Sequence, residues 1–253
     1  MSGAASGAAP RAKTRAPDGA TITTRAMARS LISAPHSATD LADDRTRAVA
    51  LTPVSRETLD RLDRFVVRFL ETQRHTNLVG PSTVPELWTR HIADSLQLLD
   101  LAPAARVWLD LGSGGGFPGL VLACALADRE GGMVHLVEST AKKAAFLRDV
   151  ASELALPARV HHLRIEDLAP DAVPDVDVIT ARALAPLKTL LGYVMPFMKI
   201  GIKCLLPKGQ DVEAELSEAT KYWRVNHKLV NSRTNLAGRI MVVHELARRT
   251  RGQ

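Results

Sequence analysis

Residues 106–119, RVWLDLGSGGGFPG, constrain this chain more than any other stretch. Val107, Trp108, Leu109 and Leu111 form an apolar run that stops at Gly112, and a helical pattern follows from Pro118 to Ala127. A short apolar run halted by glycine predicts a buried parallel strand opening into a tight turn. Glycines at 112, 114, 115, 116 and 119 crowd that turn. Lacking a Cβ, they let the backbone take positive φ and let a ligand come close. The helix that follows aims free N–H groups and its positive dipole end at the same turn. The stretch predicts a nucleotide-type pocket at the carboxyl end of a first strand.

Which nucleotide the pocket takes is a question of charge. Gly114-x-Gly116-x-x-Gly119 matches the dinucleotide pattern formally, a weak signal by itself. The strand, however, ends two residues before that match begins, and Asp110 sits at its end. A carboxylate there repels a pyrophosphate and suits a cationic ligand. S-adenosylmethionine carries a sulfonium and an ammonium group, which makes Asp110, Gly112 and Gly114 candidate contacts to a methyl donor. NAD, in an oxidoreductase, is the rival ligand, and a non-catalytic nucleotide-binding protein is the rival class. Glu138 ends a second strand, Met133–Val137, where an acid can accept hydrogen bonds from ribose hydroxyls of either ligand.

The 253 residues suffice for one α/β domain with attached pieces. A formal net charge of +6 favours an anionic partner. Two cysteines, Cys124 and Cys204, make neither a disulfide framework nor a metal cluster, so a reducing compartment and no metal are expected. No apolar run approaches the ~18–20 residues of a membrane span, and no membrane partner is expected. Residues 1–50 hold no aromatic side chain and few acids before Asp40, a composition that predicts disorder. A transit peptide, or residues upstream of a true start at Met27, are the other readings of that extension.

From Ser55 the pattern turns helical, with Leu59, Leu62, Phe65, Val66, Phe69 and Leu70 on one face. A second helix is expected from about Val84 to Leu99, and residues 51–103 are expected to pack on the core. Within it Arg90, His91, Asp94 and Ser95 fall in two turns, with His91 and Ser95 sharing a face in an α-helix.

Residues 104–248 then alternate strand and helix. Thr140 is expected to cap a helix from Ala141 to Leu154, with Ala145, Phe146, Val150 and Leu154 inward and Lys142, Lys143 and Arg148 in solvent. Further strands are expected at Arg159–Leu163, Val176–Ile179 and Ile202–Leu206, with Trp223–Val230 and Arg239–Leu246 as a final hairpin. The expected fold is a Rossmann-like, seven-stranded, mostly parallel sheet with helices on both faces and an N-terminal helical segment. His161 and His162 point to opposite faces of their strand and form no common site.

After the fourth strand stands Thr180-Ala181-Arg182-Ala183, not the Asn/Asp-Pro-Pro-aromatic segment suited to exocyclic amines. Neither cysteine is presented as a nucleophile for pyrimidine carbon chemistry. A ring nitrogen with a free lone pair, such as guanine N7, needs only positioning and desolvation.

These residues together resemble one family. Asn77-Leu78-Val79, the Arg90–Leu96 segment, the Asp110–Gly119 turn, Lys143 with Phe146-Leu147, Arg182-Ala183 and Lys208-Gly209-Gln210 are similar to the ribosomal-RNA small-subunit methyltransferase G family, also named glucose-inhibited division protein B. The resemblance covers Leu59 to Leu246 and implies a class I S-adenosylmethionine-dependent methyltransferase. It implies transfer of a methyl group to N7 of one guanine in 16S rRNA, with that rRNA or the small subunit as partner, by a cytoplasmic monomer. Carried over motif by motif, Gly112 and Phe117 would line the donor site and Ile165-Glu166 would flank adenine. Arg182 would act at the donor or phosphate side, Lys208 would meet RNA, and the Arg90–Ser95 helix would close over the pocket. The chain departs from the family at Arg74-His75, where tryptophan-asparagine is usual.

Overall fold

The computed structural model describes residues 38–249. Five parallel strands form the centre: β1 (Val107–Leu111), β2 (Met133–Val137), β3 (Ala158–His161), β4 (Val178–Thr180) and β5 (Lys203–Lys208). Then β6 (Trp223–Asn231) and β7 (Arg239–Arg248) add a hairpin, with β7 antiparallel to β5. The sheet order is β3-β2-β1-β4-β5-β7-β6. The chain reverses direction of growth between β1 and β4, so a crevice opens there at the carboxyl ends of the strands.

Four helices cover the sheet: α3 (Gly119–Leu126), α4 (Ala141–Glu153), α5 (Leu187–Val194) and α6 (Val212–Ala219), preceded in the chain by α1 (Ala38–Leu51) and α2 (Arg56–Gln73). Apolar residues of α2 and α3 fill one face of the sheet, and those of α5 fill the other. The serine at 55 caps α2 as its spacing predicts, accepting from the Thr58 amide at 3.1 Å. Phe65 and Phe69 of α2 then reach the glycine turn, 5.4 and 5.3 Å from the Phe117 ring. Burial of this aromatic cluster fixes α2 against the crevice floor.

The expectation of disorder through residue 50 fails for the part of it that the structure describes, while residues 1–37 lie outside the described residues. Residues 38–51 form α1, which docks through Leu41 and Ala48 against the core and through buried and half-buried charge on the same side. Asp44 is fully buried and accepts from the Trp88 and Thr89 amides at 2.8 and 3.1 Å and from the Thr89 hydroxyl. Arg45 grips Asp63 of α2 through two bonds of 2.7 Å.

The expected helix at 84–99 is also broken up. It comprises a 3₁₀ segment Pro81–Glu86, a π-helical turn Trp88–Ala93, and the short Asp94–Leu96 helix. Ala145 is exposed while Ala144 is buried, and the Thr140 side chain makes no cap bond. Its amide instead donates to Glu138 Oε1 at 2.7 Å.

Candidate functional site

A cavity of about 410 Å³ occupies the crevice. Its wall includes Gly112, Gly114, Phe117, Glu138, Ile165, Glu166 and Arg182, all named from the sequence. Gly112 holds φ +74°, and a Cβ there would meet Leu184 Cδ1 at 2.6 Å. The positive φ is what calls for glycine, since the Leu184 methyl is a side-chain end that could shift. The amides of Gly112 and Ser113 both donate to the Val137 carbonyl at 2.9 Å, which locks the turn to the end of β2.

Glu138 is the carboxylate of this cavity that the glycine turn holds. Its Oε2 accepts from the Gly114 amide at 2.9 Å and its Oε1 from Thr140. Each oxygen keeps a second lone pair for a hydroxyl on the cavity side. Ile165 supplies apolar wall beside it, and Glu166 stands at the rim with Arg164 3.8 Å away.

Asp110 and Lys208 stand elsewhere than the sequence suggests. Asp110 is fully buried beneath the turn, off the cavity wall, where Oδ2 accepts from the Gly119 amide at 3.1 Å. It therefore anchors the start of α3. Burial pushes its carboxyl up to about 7, against the pull of the Gly119 amide and Arg182. Its Oδ1 and the Thr180 hydroxyl, register partners across β1 and β4, have no hydrogen-bond partner among the described residues. Lys208 is tied to Glu215 at 2.7 Å, with a side chain only 11% exposed, and is off the cavity wall. Glu215 also accepts from the Leu187 amide, so this pair pins α5 to α6.

The opposite wall is built by side chains from distant parts of the chain. Arg182, at the end of β4, donates to the Arg90 carbonyl at 3.0 Å and to Asp94 Oδ2 at 3.4 Å. It also donates to His91 Nδ1. A guanidinium has no acceptor, so Nδ1 is the unprotonated nitrogen and Nε2 carries the hydrogen. Nε2 then donates to the Thr83 hydroxyl at 2.9 Å, and Thr83 donates to the Gly80 carbonyl at 2.8 Å. Every group in this chain of bonds has a consistent direction.

Burial, then the charges of Arg182 and Arg90, push the His91 pKa down to about 3, so the ring is neutral. It packs against Phe117 with ring centres 4.9 Å apart, and the Arg182 guanidinium lies 5.6 Å from the same ring centre. Burial also lowers the Arg182 pKa while Asp94 and Asp110 oppose the change; the group stays charged.

His91 and Asp94, three residues apart, lie on neighbouring positions of this helical stretch, and both reach Arg182. The Ser95 hydroxyl donates to the His91 carbonyl at 2.6 Å, the usual back-bond of a serine within a helix, and does not join the His91 ring. Lys143, Thr83 and Tyr193 also line the cavity, and Lys143 was expected in solvent. A legible signal existed for Lys143, because the first turn of a helix that follows a parallel strand starts at the carboxyl edge. His161, at the carboxyl end of β3, accepts from the Glu138 amide through its carbonyl at 3.1 Å, while its ring meets His135 of β2 at 2.9 Å. Among the described residues no helix is long and apolar enough to cross a membrane, and no group of three or more His, Cys, Asp or Glu could hold a metal.

The model of the family described as rRNA small subunit methyltransferase G matches residues 58–241. The chain is 60% identical over 203 residues to the ribosomal RNA small subunit methyltransferase G of Bradyrhizobium sp. strain BTAi1, covering 80% of this chain and 91% of that one. It is 57% identical over 210 residues to the same-named protein of Nitrobacter winogradskyi, covering 83% and 76%. Among solved structures, a putative O-methyltransferase from Klebsiella pneumoniae superposes with a TM-score of 0.52 at 14% identity, over 81% of this chain and 97% of that one. That likeness bears on the fold, which is the class I methyltransferase sheet expected from the sequence. The dinucleotide-oxidoreductase reading finds no support among these relatives.

Proposed function

The chain belongs to the rRNA small subunit methyltransferase G family, and from that premise we propose that it moves a methyl group from S-adenosylmethionine to N7 of a guanine in 16S rRNA. We infer further that it works as a cytoplasmic monomer without a metal. The observation that carries the reading is Glu138, a carboxylate clamped by the Gly114 and Thr140 amides on the wall of a cavity of donor size. Glu138 would hold the ribose hydroxyls, Ile165 and Glu166 would flank adenine, and Gly112, Gly114 and Phe117 would border the donor's chain. Arg182 offers the positive charge that suits the donor's carboxylate. Asp110 contributes from beneath, by holding the turn and the start of α3.

Bound there, the donor supplies an electrophilic methyl group. Guanine N7 has a free lone pair, so the chain needs no general base. What its residues do is orient and exclude water. Neutral His91, packed on Phe117 and fixed by Arg182 and Thr83, closes the cavity wall without adding a charge beside a cationic donor.

The test is incubation with methyl-labelled S-adenosylmethionine and 16S rRNA or small subunits from cells lacking this activity, followed by nucleoside mass spectrometry. Labelled 7-methylguanosine is the expected product, and label on another atom or none contradicts the reading. In the same assay Arg182→Ala abolishes transfer while the protein stays folded, and unchanged transfer removes Arg182 from the site.

A further inference from the structure

Among the described residues two large apolar side chains stand wholly in solvent, Ile200 at 107% and Leu236 at 99% relative exposure. They lie at opposite edges of the sheet. Ile200 precedes β5 and so sits at its amino end. Leu236 lies between β6 and β7, and the first residue of β7, Arg239, pairs with Lys208 at the carboxyl end of β5. Leu236 therefore projects from the edge on which the donor cavity opens.

The turn that carries Leu236 is stiff. The Gly238 amide donates to the Asn235 carbonyl at 2.9 Å, and the Ala237 amide to the Asn235 side chain at 3.0 Å. Arg239 donates to the Leu236 and Gly238 carbonyls at 3.1 and 2.9 Å. Nothing packs on the leucine, yet its backbone is fixed.

The same turn is bolted to the cavity wall. The Thr234 hydroxyl donates to Asp94 Oδ1 at 2.8 Å, and Asp94 Oδ2 takes Arg182. The Arg233 amide donates to Gln97 at 2.9 Å, and Gln97 donates to Ser232 at 3.2 Å. Residues 232–239, SRTNLAGR, include two arginines and no acid. The Arg233 side chain is 51% exposed while paired with Asp100.

We propose that the 232–239 turn is an RNA-docking surface, with Leu236 as an apolar contact to an unpaired base and Arg239 beside it as the phosphate contact. This rests on the function proposed above. A rigid apolar tip can slide against or between bases, as apolar wedges do in nucleic-acid complexes. Arg233 is balanced by Asp100, so the charge that favours a polyanion over a second copy of this chain is that of Arg239, bonded only to carbonyls, together with the net +6 of the chain. The bolt to Asp94 then sets the distance from docked RNA to the donor.

Leu236→Ser tests the proposal, with RNA substrate KM, S-adenosylmethionine affinity, thermal stability and sedimentation measured beside wild type. The expected result is a KM for RNA raised about tenfold, with donor affinity and stability unchanged because Leu236 touches nothing in the folded chain. Leu236→Met restores most of the loss, since only apolar area is needed. An unchanged KM for RNA overturns the proposal, as does a variant that changes the oligomeric state instead. Wild-type protein that leaves small-subunit RNA unmethylated overturns the function reading and this inference together.

Discussion

The two walls of the cavity are made in different ways. The glycine-turn wall is backbone: Gly112, Ser113 and Gly114 amides bonded to Val137 and Glu138, all within two strand ends and one turn. The facing wall is a side-chain lattice in which Arg182 reaches Asp94 across 88 residues and Thr234 reaches it across 140. A backbone wall keeps its shape when single side chains change, whereas a lattice fails at its junctions. The first suits a donor that is the same in every turnover. The second touches both the donor cavity and the 232–239 turn, where a much larger substrate would arrive.

The largest expected effect comes from breaking the backbone wall itself. A Cβ on Gly119 would stand 2.1 Å from Leu136 Cδ2 and 2.6 Å from Asp110 Oδ2. Gly119→Ala should therefore cost about 3 kcal/mol, read as a lowered urea midpoint at unchanged slope, with donor binding lost alongside. A Gly114→Ala substitution meets no atom closer than 3.8 Å and carries only the strain of φ +53°. It should cost about 1 kcal/mol.

The lattice is probed next through α1. Asp44→Ala leaves the Trp88 and Thr89 amides without their acceptor and should cost about 2 kcal/mol in urea unfolding. A flat result would mean that α1 does not hold the π-helical turn.

Acidification provides a milder test, specific to His91. Its folded pKa, about 3, lies below the ordinary value of 6.5, so its stabilising contribution is complete above pH 6.5. That contribution is lost as pH falls from 6.5 toward 3, by up to about 1.4 kcal/mol per unit. Unfolding free energies at pH 7 and 5.5 should differ more in wild type than in His91→Asn. Equal differences would show that the imidazole is not the group being protonated.

The smallest effect belongs to Thr234→Val, which removes one bond to Asp94 and should cost about 1 kcal/mol. Transfer to RNA should slow several-fold while S-adenosylmethionine affinity holds. A loss of donor affinity instead would place the turn's influence on the wrong substrate.

The same contrast explains what the sequence made legible. The parallel strands and the glycine turn are local signals, apolar runs ended by glycine, and β1 and β2 match their expected limits. Glu138 follows from its place at a strand end. Asp110 was legible as a functional position but not in its direction, since a strand-end carboxylate can face the ligand or the following helix. Here the Gly119 amide takes it. The lattice was only partly legible: His91, Asp94 and Arg182 stood out one by one, but nothing local reports which distant partner each finds, or that a π-helical turn interrupts the expected helix. The α1 helix was hidden for another reason. Its apolar side is narrow, Leu41 and Ala48 alternating with the charged Asp44 and Arg45 that also hold it, so it lacks the wide stripe by which docking helices are recognised.

The central claim is that the Glu138 carboxylate seats S-adenosylmethionine beside the glycine turn. Calorimetric titration of the purified protein with S-adenosylmethionine, for wild type and Glu138→Gln, tests it most directly. The account predicts one site per chain, weakened about ten- to hundredfold in the variant as a charge-assisted hydrogen bond is lost. No binding by wild type, or equal binding by both proteins, would contradict it.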